Sequence, residues 1–165
     1  MEGIRILLVD DEPEFLAVLG ARLTRRGYAV LTAGDGAEAL AVLDREPNLD
    51  VVVLDLRMPG LSGIETLRRI KSARPLLEVI ILTGHASVET GIEGIKNGAF
   101  DYLLKPCEVE ALIEKIDQAS HLKLKHEDQV VAVRSSPPKS RRRLMEDLDP
   151  AVRRALGEDG GGKKA

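Results

Sequence analysis

The stretch from residue 51 to residue 60 constrains the fold more than any other part of this sequence. It reads Val-Val-Val-Leu-Asp-Leu-Arg-Met-Pro-Gly, so four apolar and mostly β-branched residues lead directly to Asp55, and a Pro-Gly turn follows. An uninterrupted apolar run bounded by turn residues is typical of a strand buried on both faces, as in a parallel sheet. Open α/β sheets bind their ligands at the carboxyl ends of such strands. The stretch therefore predicts that Asp55 lies at a reactive edge of a sheet, where we expect it to act as a nucleophile.

Four further apolar runs predict the rest of the sheet. They lie at residues 4–9, 28–33, 78–82 and 100–104, and they alternate with segments whose apolar residues recur at helical spacing. Alternation of five strands with five helices over about 120 residues predicts right-handed βαβ crossovers and a parallel sheet covered on both faces. We expect an α/β fold, a doubly wound (βα)5 flavodoxin-like three-layer sandwich with strand order 2-1-3-4-5.

The helix predicted after the fourth strand differs from the others in its glycines. Val88, Ile92 and Ile95 recur at helical spacing, but Gly91 and Gly94 lie between them. Each interior glycine costs a helix about 1 kcal/mol relative to alanine. We therefore predict that this is the least stable helix of the domain.

Composition and charge indicate where the chain is found and how it is divided. Cys107 is the only cysteine, which excludes an internal disulfide, and no apolar run approaches the ~20 residues of a membrane span. Together with a start that does not resemble a signal peptide, this predicts a soluble, cytoplasmic protein without a membrane partner. Residues 1–133 carry 15 basic and 22 acidic residues, whereas residues 134–165 carry nine basic and five acidic residues.

This change of charge coincides with a change of pattern. We predict one domain over residues 1–124, followed at 125–165 by the end of an extended helix, a basic linker and a disordered tail with one marginal helix. A docking segment is the alternative interpretation of that tail. Its basic run can contact nucleic acid nonspecifically, but neither a recognition motif nor stacking aromatic residues support specific binding.

Chemically useful side chains follow four of the five predicted strands. They are Asp10 and Asp11 after the first strand, Asp55 after the third, Thr83 after the fourth and Lys105 after the fifth. Taken singly, each has a structural explanation as a helix-initiating, turn or solvated loop residue. Parallel strands bring them to one edge, however, where three carboxylates need a cation and hard oxygen ligands suit Mg²⁺. A nucleophile, a divalent ion, a hydroxyl and an ammonium group are the requirements of phosphoryl transfer.

The same residues carry a resemblance to a known family. Asp10-Asp11, Asp55 with Met58-Pro59-Gly60 and Gly63, Thr83-Gly84, and Lys105-Pro106 resemble, in order and spacing, the receiver domain of two-component response regulators over residues 4–122. The segment 83–106 is most similar to receivers of the nitrogen-regulator class, although this sequence does not contain the ATPase module that usually follows them. We therefore expect a stand-alone response regulator.

The resemblance also implies a role for each site residue. Asp55 is expected to accept a phosphoryl group from a sensor histidine kinase or a phosphotransfer protein, which makes the chain a phosphoacceptor rather than an enzyme. The implied Mg²⁺ ligands are Asp10, Asp11, Asp55 and the backbone carbonyl of Arg57. Lys105, Thr83 and Gly84 are expected to contact the phosphoryl group, and the Lys105–Pro106 peptide bond is expected to be cis. Thr83 and Tyr102 are expected to be the moving residues of the switch.

A downstream protein is expected to bind the face formed by the fourth helix, fifth strand and fifth helix, and homodimerisation is left open.

Three alternatives to a phosphorylated receiver accompany this hypothesis. An aspartate-nucleophile phosphatase would need a second acid at the position of Arg57, and a flavodoxin-type protein would need a phosphate-binding loop where Asp10 and Asp11 lie. A receiver-like scaffold that signals without phosphorylation is compatible with every residue named. His85 is interpreted as a loop residue.

Overall fold

The computed structural model describes residues 3–84 and 87–157, and strands and helices alternate through these ranges. The domain consists of β1 Arg5–Val9, α1 Pro13–Arg25, β2 Ala29–Ala33, α2 Gly36–Arg45, β3 Val51–Leu54, α3 Gly63–Ala73, β4 Glu78–Thr83, α4 Val88–Lys96, β5 Asp101–Leu104 and α5 Val109–Ser135. Two more helices follow, α6 Pro138–Glu146 and α7 Pro150–Ala155. Within the described ranges, no helix combines the length and the apolar character needed to cross a membrane.

The five strands form one parallel sheet with the order β2-β1-β3-β4-β5, so the predicted fold and strand order are confirmed. The register aligns Val9 with Leu54 and Leu54 with Ile81, which brings the carboxyl ends of the central strands to the same level. β3 and β4 are buried over their whole length, as the apolar runs at 51–54 and 79–82 predict, and this burial includes Glu78 and Thr83 at the two ends of β4.

Alternate residues of each strand build two core layers. Ile6 and Leu8 of β1 pack with the buried residues of α1 and α5, whereas Leu7 and Val9 pack with those of α2 and α3. Side chains cap α2 and α3, because Asp35 accepts a hydrogen bond from the Glu38 backbone and Ser62 accepts one from the Glu65 backbone. The fold is therefore a three-layer sandwich, and the sheet register brings the carboxyl ends of its strands to one edge.

Helix α4 is oriented differently from what its apolar spacing suggests. Val88, Ile92 and Ile95 are 78%, 50% and 48% exposed, while Gly91 and Gly94 are buried. A side chain at Gly94 would overlap Ile81 of β4, and one at Gly91 would lie 3.0 Å from the Tyr102 ring. The glycines thus allow α4 to approach the sheet closely, and its apolar side chains point into solvent.

The segment after the domain is more regular than the sequence predicts. α5 continues to Ser135, and α6 and α7 follow in the described residues up to 157, where the sequence predicts a basic linker and a disordered tail with one marginal helix. The apolar residues Ala151 and Val152 of α7 are buried, Val152 completely, and α7 contacts α5. The proline N-termini of both helices and the Asp149 cap of α7 explain why these short helices begin where they do.

The helix α7 lies close to a group of buried charged residues at the amino edge of the sheet. Lys71 of α3, Glu78 at the start of β4 and His126 of α5 are 9%, 5% and 5% exposed. The Lys71 ammonium donates to the carbonyl oxygens of Pro75 at 2.6 Å and Leu77 at 3.0 Å. We refer to Lys71, Glu78 and His126 as the amino-edge group.

Candidate functional site

The backbone of the sheet holds Asp10 and Asp55 side by side at the carboxyl edge. The Asp10 amide donates to the Ala33 carbonyl at 3.1 Å, and the Asp55 amide donates to the Val9 carbonyl at 2.9 Å. Both residues thus continue the sheet ladder by one position beyond their strands. Both are also buried, with Asp10 2% and Asp55 4% exposed.

Three carboxylates meet at this point. Oxygen atoms of Asp10, Asp11 and Asp55 all lie within 4.8 Å of one another, and Asp11 is exposed. Burial raises the pKa of Asp10 above its ordinary value, the hydrogen bond from Lys105 and the Glu12 backbone oppose this, and the Asp55 charge raises it further. Hard oxygen donors this close together, two of them buried, fit a divalent cation such as Mg²⁺, with Asp11 open to solvent for its entry.

Lys105 is held over the carboxylates by three neighbours. Its ammonium donates to Asp10 Oδ2, lies 3.8 Å from Glu12 Oε1, and sits 4.0 Å from the centroid of the Phe15 ring. Its side chain is only 14% exposed. The Lys105–Pro106 peptide bond is cis, as predicted. The structure therefore brings Lys105 to the predicted site, where it pairs with Asp10.

Thr83 and Gly84 lie at the same edge. Thr83 is the last residue of β4 and is fully buried, and its carbonyl accepts a hydrogen bond of 2.9 Å from the Lys105 amide. Gly84 is exposed, and a Cβ built on it would lie 3.9 Å from the Lys105 Cβ. The ends of β4 and β5 thus hold the hydroxyl-bearing and ammonium-bearing residues next to each other.

Tyr102 belongs to β5, and its ring lies against α4. Its ring contacts Gly91 closely, and its hydroxyl donates to the Ser87 carbonyl at 3.4 Å, immediately before the start of α4. The ring is partly buried against the core layer of α2 and α3. Tyr102 therefore connects β5 with the first turn of α4.

Arg57 is exposed, and its backbone amide donates to Asp55 Oδ1 at 3.4 Å, so the backbone after β3 turns around the Asp55 carboxylate. His85 lies outside the described residues.

Two residues to which the sequence assigned no role, Glu12 and Phe15, both contact Lys105. Their signals were available: Glu12 directly follows the acidic pair, and Phe15 is one of only two phenylalanines.

Comparison with known proteins supports the interpretation of this edge. A family model described as "Response regulator receiver domain" matches residues 6–117. The chain is 45% identical over 114 residues to the transcriptional regulatory protein GlrR of Escherichia coli K12, a match that covers 69% of this chain and 26% of GlrR. The chain thus spans about a quarter of the length of that curated relative.

Solved structures show the same fold. A response regulator receiver domain protein from Clostridium thermocellum is 40% identical with a TM-score of 0.70, and the match covers 73% of this chain and 96% of that one. The protein CheY of Borrelia burgdorferi, solved in a complex with CheX, BeF3 and Mg²⁺, is 26% identical with a TM-score of 0.67. That match covers 70% of this chain and 87% of the other.

Proposed function

This chain belongs to the response regulator receiver domain family, and from this premise we propose that Asp55 accepts a phosphoryl group in a two-component signalling pathway. The observation that carries the proposal is the meeting of Asp10, Asp11 and Asp55 within 4.8 Å at one sheet edge, beside Lys105. The donor is a phosphohistidine of a sensor histidine kinase or a phosphotransfer protein.

In the proposed reaction, an Oδ atom of Asp55 forms a bond to phosphorus while the P–N bond of the donor histidine breaks. The leaving imidazole takes a proton and departs as a neutral ring, and the product is an acyl phosphate on Asp55. Mg²⁺, when bound, neutralises the carboxylates and polarises the phosphoryl oxygens. Asp10, Asp11, Asp55 and the Arg57 carbonyl are the residues that would hold it.

The surrounding residues have distinct roles in this proposal. Lys105, released from Asp10, pairs with a phosphoryl oxygen, and the Thr83 hydroxyl and the Gly84 backbone contact the same group. The match to a CheY solved with BeF3 and Mg²⁺, a combination that imitates a phosphoryl group and its ion, supports the expectation that such a site binds both. The chain acts as a phosphoacceptor that assists its own modification.

We further propose that the modification changes the surface around α4. The phosphoryl group adds a charge near −2 next to Thr83, at the end of the strand that precedes α4. Tyr102 connects β5 with the backbone of Ser87, so a movement of the segment after β4 displaces this side chain. The exposed apolar residues of α4 and the 52% exposed Leu104 of β5 form the surface for a downstream protein.

The phosphoacceptor role is tested with acetyl phosphate and Mg²⁺. We expect intact mass spectrometry to detect one added phosphoryl group on the wild type and none on Asp55→Asn. Asp44→Asn is the matched control, because Asp44 is an exposed aspartate on α2. An adduct that persists in Asp55→Asn, or its absence from the wild type, would contradict the proposal, and the latter would favour the scaffold that signals without phosphorylation.

The switch is tested separately by hydrogen exchange with beryllofluoride and Mg²⁺. We expect altered amide protection over residues 87–104 in the wild type and no change in Asp55→Asn. Unchanged protection in a wild type that binds beryllofluoride would reject the proposed switch while leaving the phosphoacceptor role intact.

A further inference from the structure

Helix α6 carries four cationic residues. Lys139, Arg141, Arg142 and Arg143 are all exposed, and α6 buries none of its residues. Together with Arg153 of α7 they form what we call the basic arm surface. Residues 134–157 contain seven basic and three acidic residues, whereas residues 1–133 are strongly acidic.

The cations of this surface have no acidic partners within the part of the chain that the structure describes. On α3, by contrast, Arg68 and Arg69 both pair with Glu65 at the usual helical spacing. Two of these arginines donate hydrogen bonds to backbone carbonyls instead, Arg141 to Ser136 and Arg153 to Glu146. The acidic residues Glu146 and Asp147 also line the clefts beside α6, but the five cations of the basic arm surface outnumber them. The surface therefore has an excess of positive charge.

Among the four cations of α6, only Arg143 in the last turn is favourably placed for the helix dipole. The amino end of a helix carries a partial positive charge, so acidic residues are favoured there and basic residues are unfavourable. The first turn of α6 contains Lys139 and Arg141 and no acidic residue. The helix dipole therefore does not account for the cations of the first turn.

The cations lie on both sides of α6. Lys139 and Arg143 line a cleft of about 600 Å³ between α6 and the end of α5. Arg141, Arg142 and Arg153 line a second cleft of about 590 Å³ on the other side, between α6 and α7. A partner must therefore present negative charge over an extended surface, as a polyanion does.

The chemistry of the surface distinguishes between polyanions. Tight protein interfaces depend on buried aromatic and apolar anchors, and the only apolar residues of α6 beyond Pro138 are Leu144 and Met145. Single-stranded nucleic acid is bound by stacking on aromatic residues, and all four aromatic residues of the chain precede residue 134. Regularly spaced phosphates on a duplex need only exposed cations.

We propose that the basic arm surface binds the phosphate backbone of double-stranded nucleic acid without reading its base sequence. The acidic domain repels the duplex, so only the arm approaches it, and binding is weak and depends strongly on salt. This inference does not depend on phosphorylation of Asp55.

The test is fluorescence anisotropy with a labelled DNA duplex of mixed sequence and the full chain. We expect binding that weakens about 100-fold between about 50 mM and about 200 mM salt, as four neutralised phosphates predict. The triple variant Arg141→Gln, Arg142→Gln, Arg143→Gln is expected to bind at least tenfold more weakly. The slope of log K against log salt should fall by about 2 to 3 for the three lost contacts.

The matched control is Arg25→Gln, Arg45→Gln, Lys96→Gln, which removes three exposed cations elsewhere and leaves the net charge equal to that of the arm variant. We expect it to keep the wild-type slope, and circular dichroism should show equal helix content for all three proteins. Absence of binding at low salt, or equal losses in both variants, would overturn the proposal. Equal competition by poly-glutamate and by unlabelled duplex would also overturn it, because the surface would then suit an acidic polypeptide.

Discussion

Buried charges occur at both ends of this sheet, and the two ends handle them differently. At the carboxyl edge, Asp10 and Asp55 are buried beside the exposed Asp11, so the group has an open side. At the amino edge, Lys71, Glu78 and His126 are buried near α7, whose Val152 is fully enclosed. The carboxyl edge is open to solvent at Asp11, and the amino edge is covered by the chain itself.

The electrostatics of the two ends support this contrast. At the amino edge, burial raises the pKa of Glu78 and lowers the pKa of Lys71, while each charge partly compensates the other. Two charges of the α7 region also act on the pKa of Lys71: Arg154, within α7, lowers it, and Asp149, which precedes α7, raises it. The carboxyl edge contains three carboxylates and one ammonium group, so its own residues leave an excess of negative charge. The excess of negative charge thus lies at the edge where we propose that the ion and the phosphoryl group bind.

The largest expected effect comes from forcing the closed end open. Val152→Asp places a carboxylate at a fully enclosed position, and an unpaired buried charge costs about 3–5 kcal/mol. We expect α7 to leave the amino edge, with loss of amide protection over residues 150–156 in hydrogen exchange. Val131→Asp is the control, because Val131 is 62% exposed on α5. Retained protection in Val152→Asp would show that α7 does not close this end.

A smaller effect is expected from filling the open end. If Mg²⁺ binds the three carboxylates, it should stabilise the fold by about 2.7 kcal/mol at a hundredfold excess over its Kd, seen as a higher Tm than in EDTA. We expect Asp11→Asn and Asp55→Asn to lose most of this shift. Glu78→Gln removes a carboxylate at the amino edge and should retain the shift. An equal shift in all variants would assign the ion elsewhere.

The smallest expected effect is a pH dependence that belongs to the closed end. Burial lowers the pKa of His126 below its ordinary value of 6.5, Asp149 raises it, and Lys71 and Lys125 lower it further. Among the described residues, nothing hydrogen-bonds its buried Nδ1. When α7 has left the amino edge, His126 is expected to bind a proton more readily than when α7 is docked there. Docking of α7 should therefore weaken as the pH falls through 6.5 toward the lowered pKa.

Exchange rates of residues 150–156, compared between neutral and mildly acidic pH, measure this effect. His126→Gln should remove the pH dependence attributable to His126, whereas His121→Gln, on the exposed side of the same helix, should keep it. Glu78 acts in the opposite direction, because its raised pKa favours the folded state as the pH falls. The quantity to compare is therefore the difference in pH dependence between His126→Gln and His121→Gln. An identical profile in both would contradict a role for His126.

The carboxyl edge was predictable because its signals are local. Each chemically useful residue directly follows an apolar run, and parallel pairing converts these separate positions into one edge. The pairing of Lys105 with Asp10 rather than with another carboxylate was not predictable, since it depends on the side-chain positions of Glu12 and Phe15.

The amino edge was not predictable for the opposite reason. Lys71 and Glu78 lie seven residues apart in α3 and β4, whereas His126 comes from the distant helix α5. The apolar residues around Glu78 indicate a buried strand, but nothing near Lys71 or His126 indicates that their side chains meet it. The spacing of apolar residues on α4 correctly predicted a helix but not its orientation. Which face turns inward depends on the close contacts of Gly91 with Tyr102 and Gly94 with Ile81.

By itself, the sequence determined the five strands, their order and the residues at their carboxyl ends, because apolar runs, turn residues and crossover handedness act locally or by general rules. Only the tertiary structure decided that α4 exposes its apolar side chains and that α7 returns to lie near a buried charged group. These features arise from contacts between residues far apart in the chain, whose energies no single segment contains.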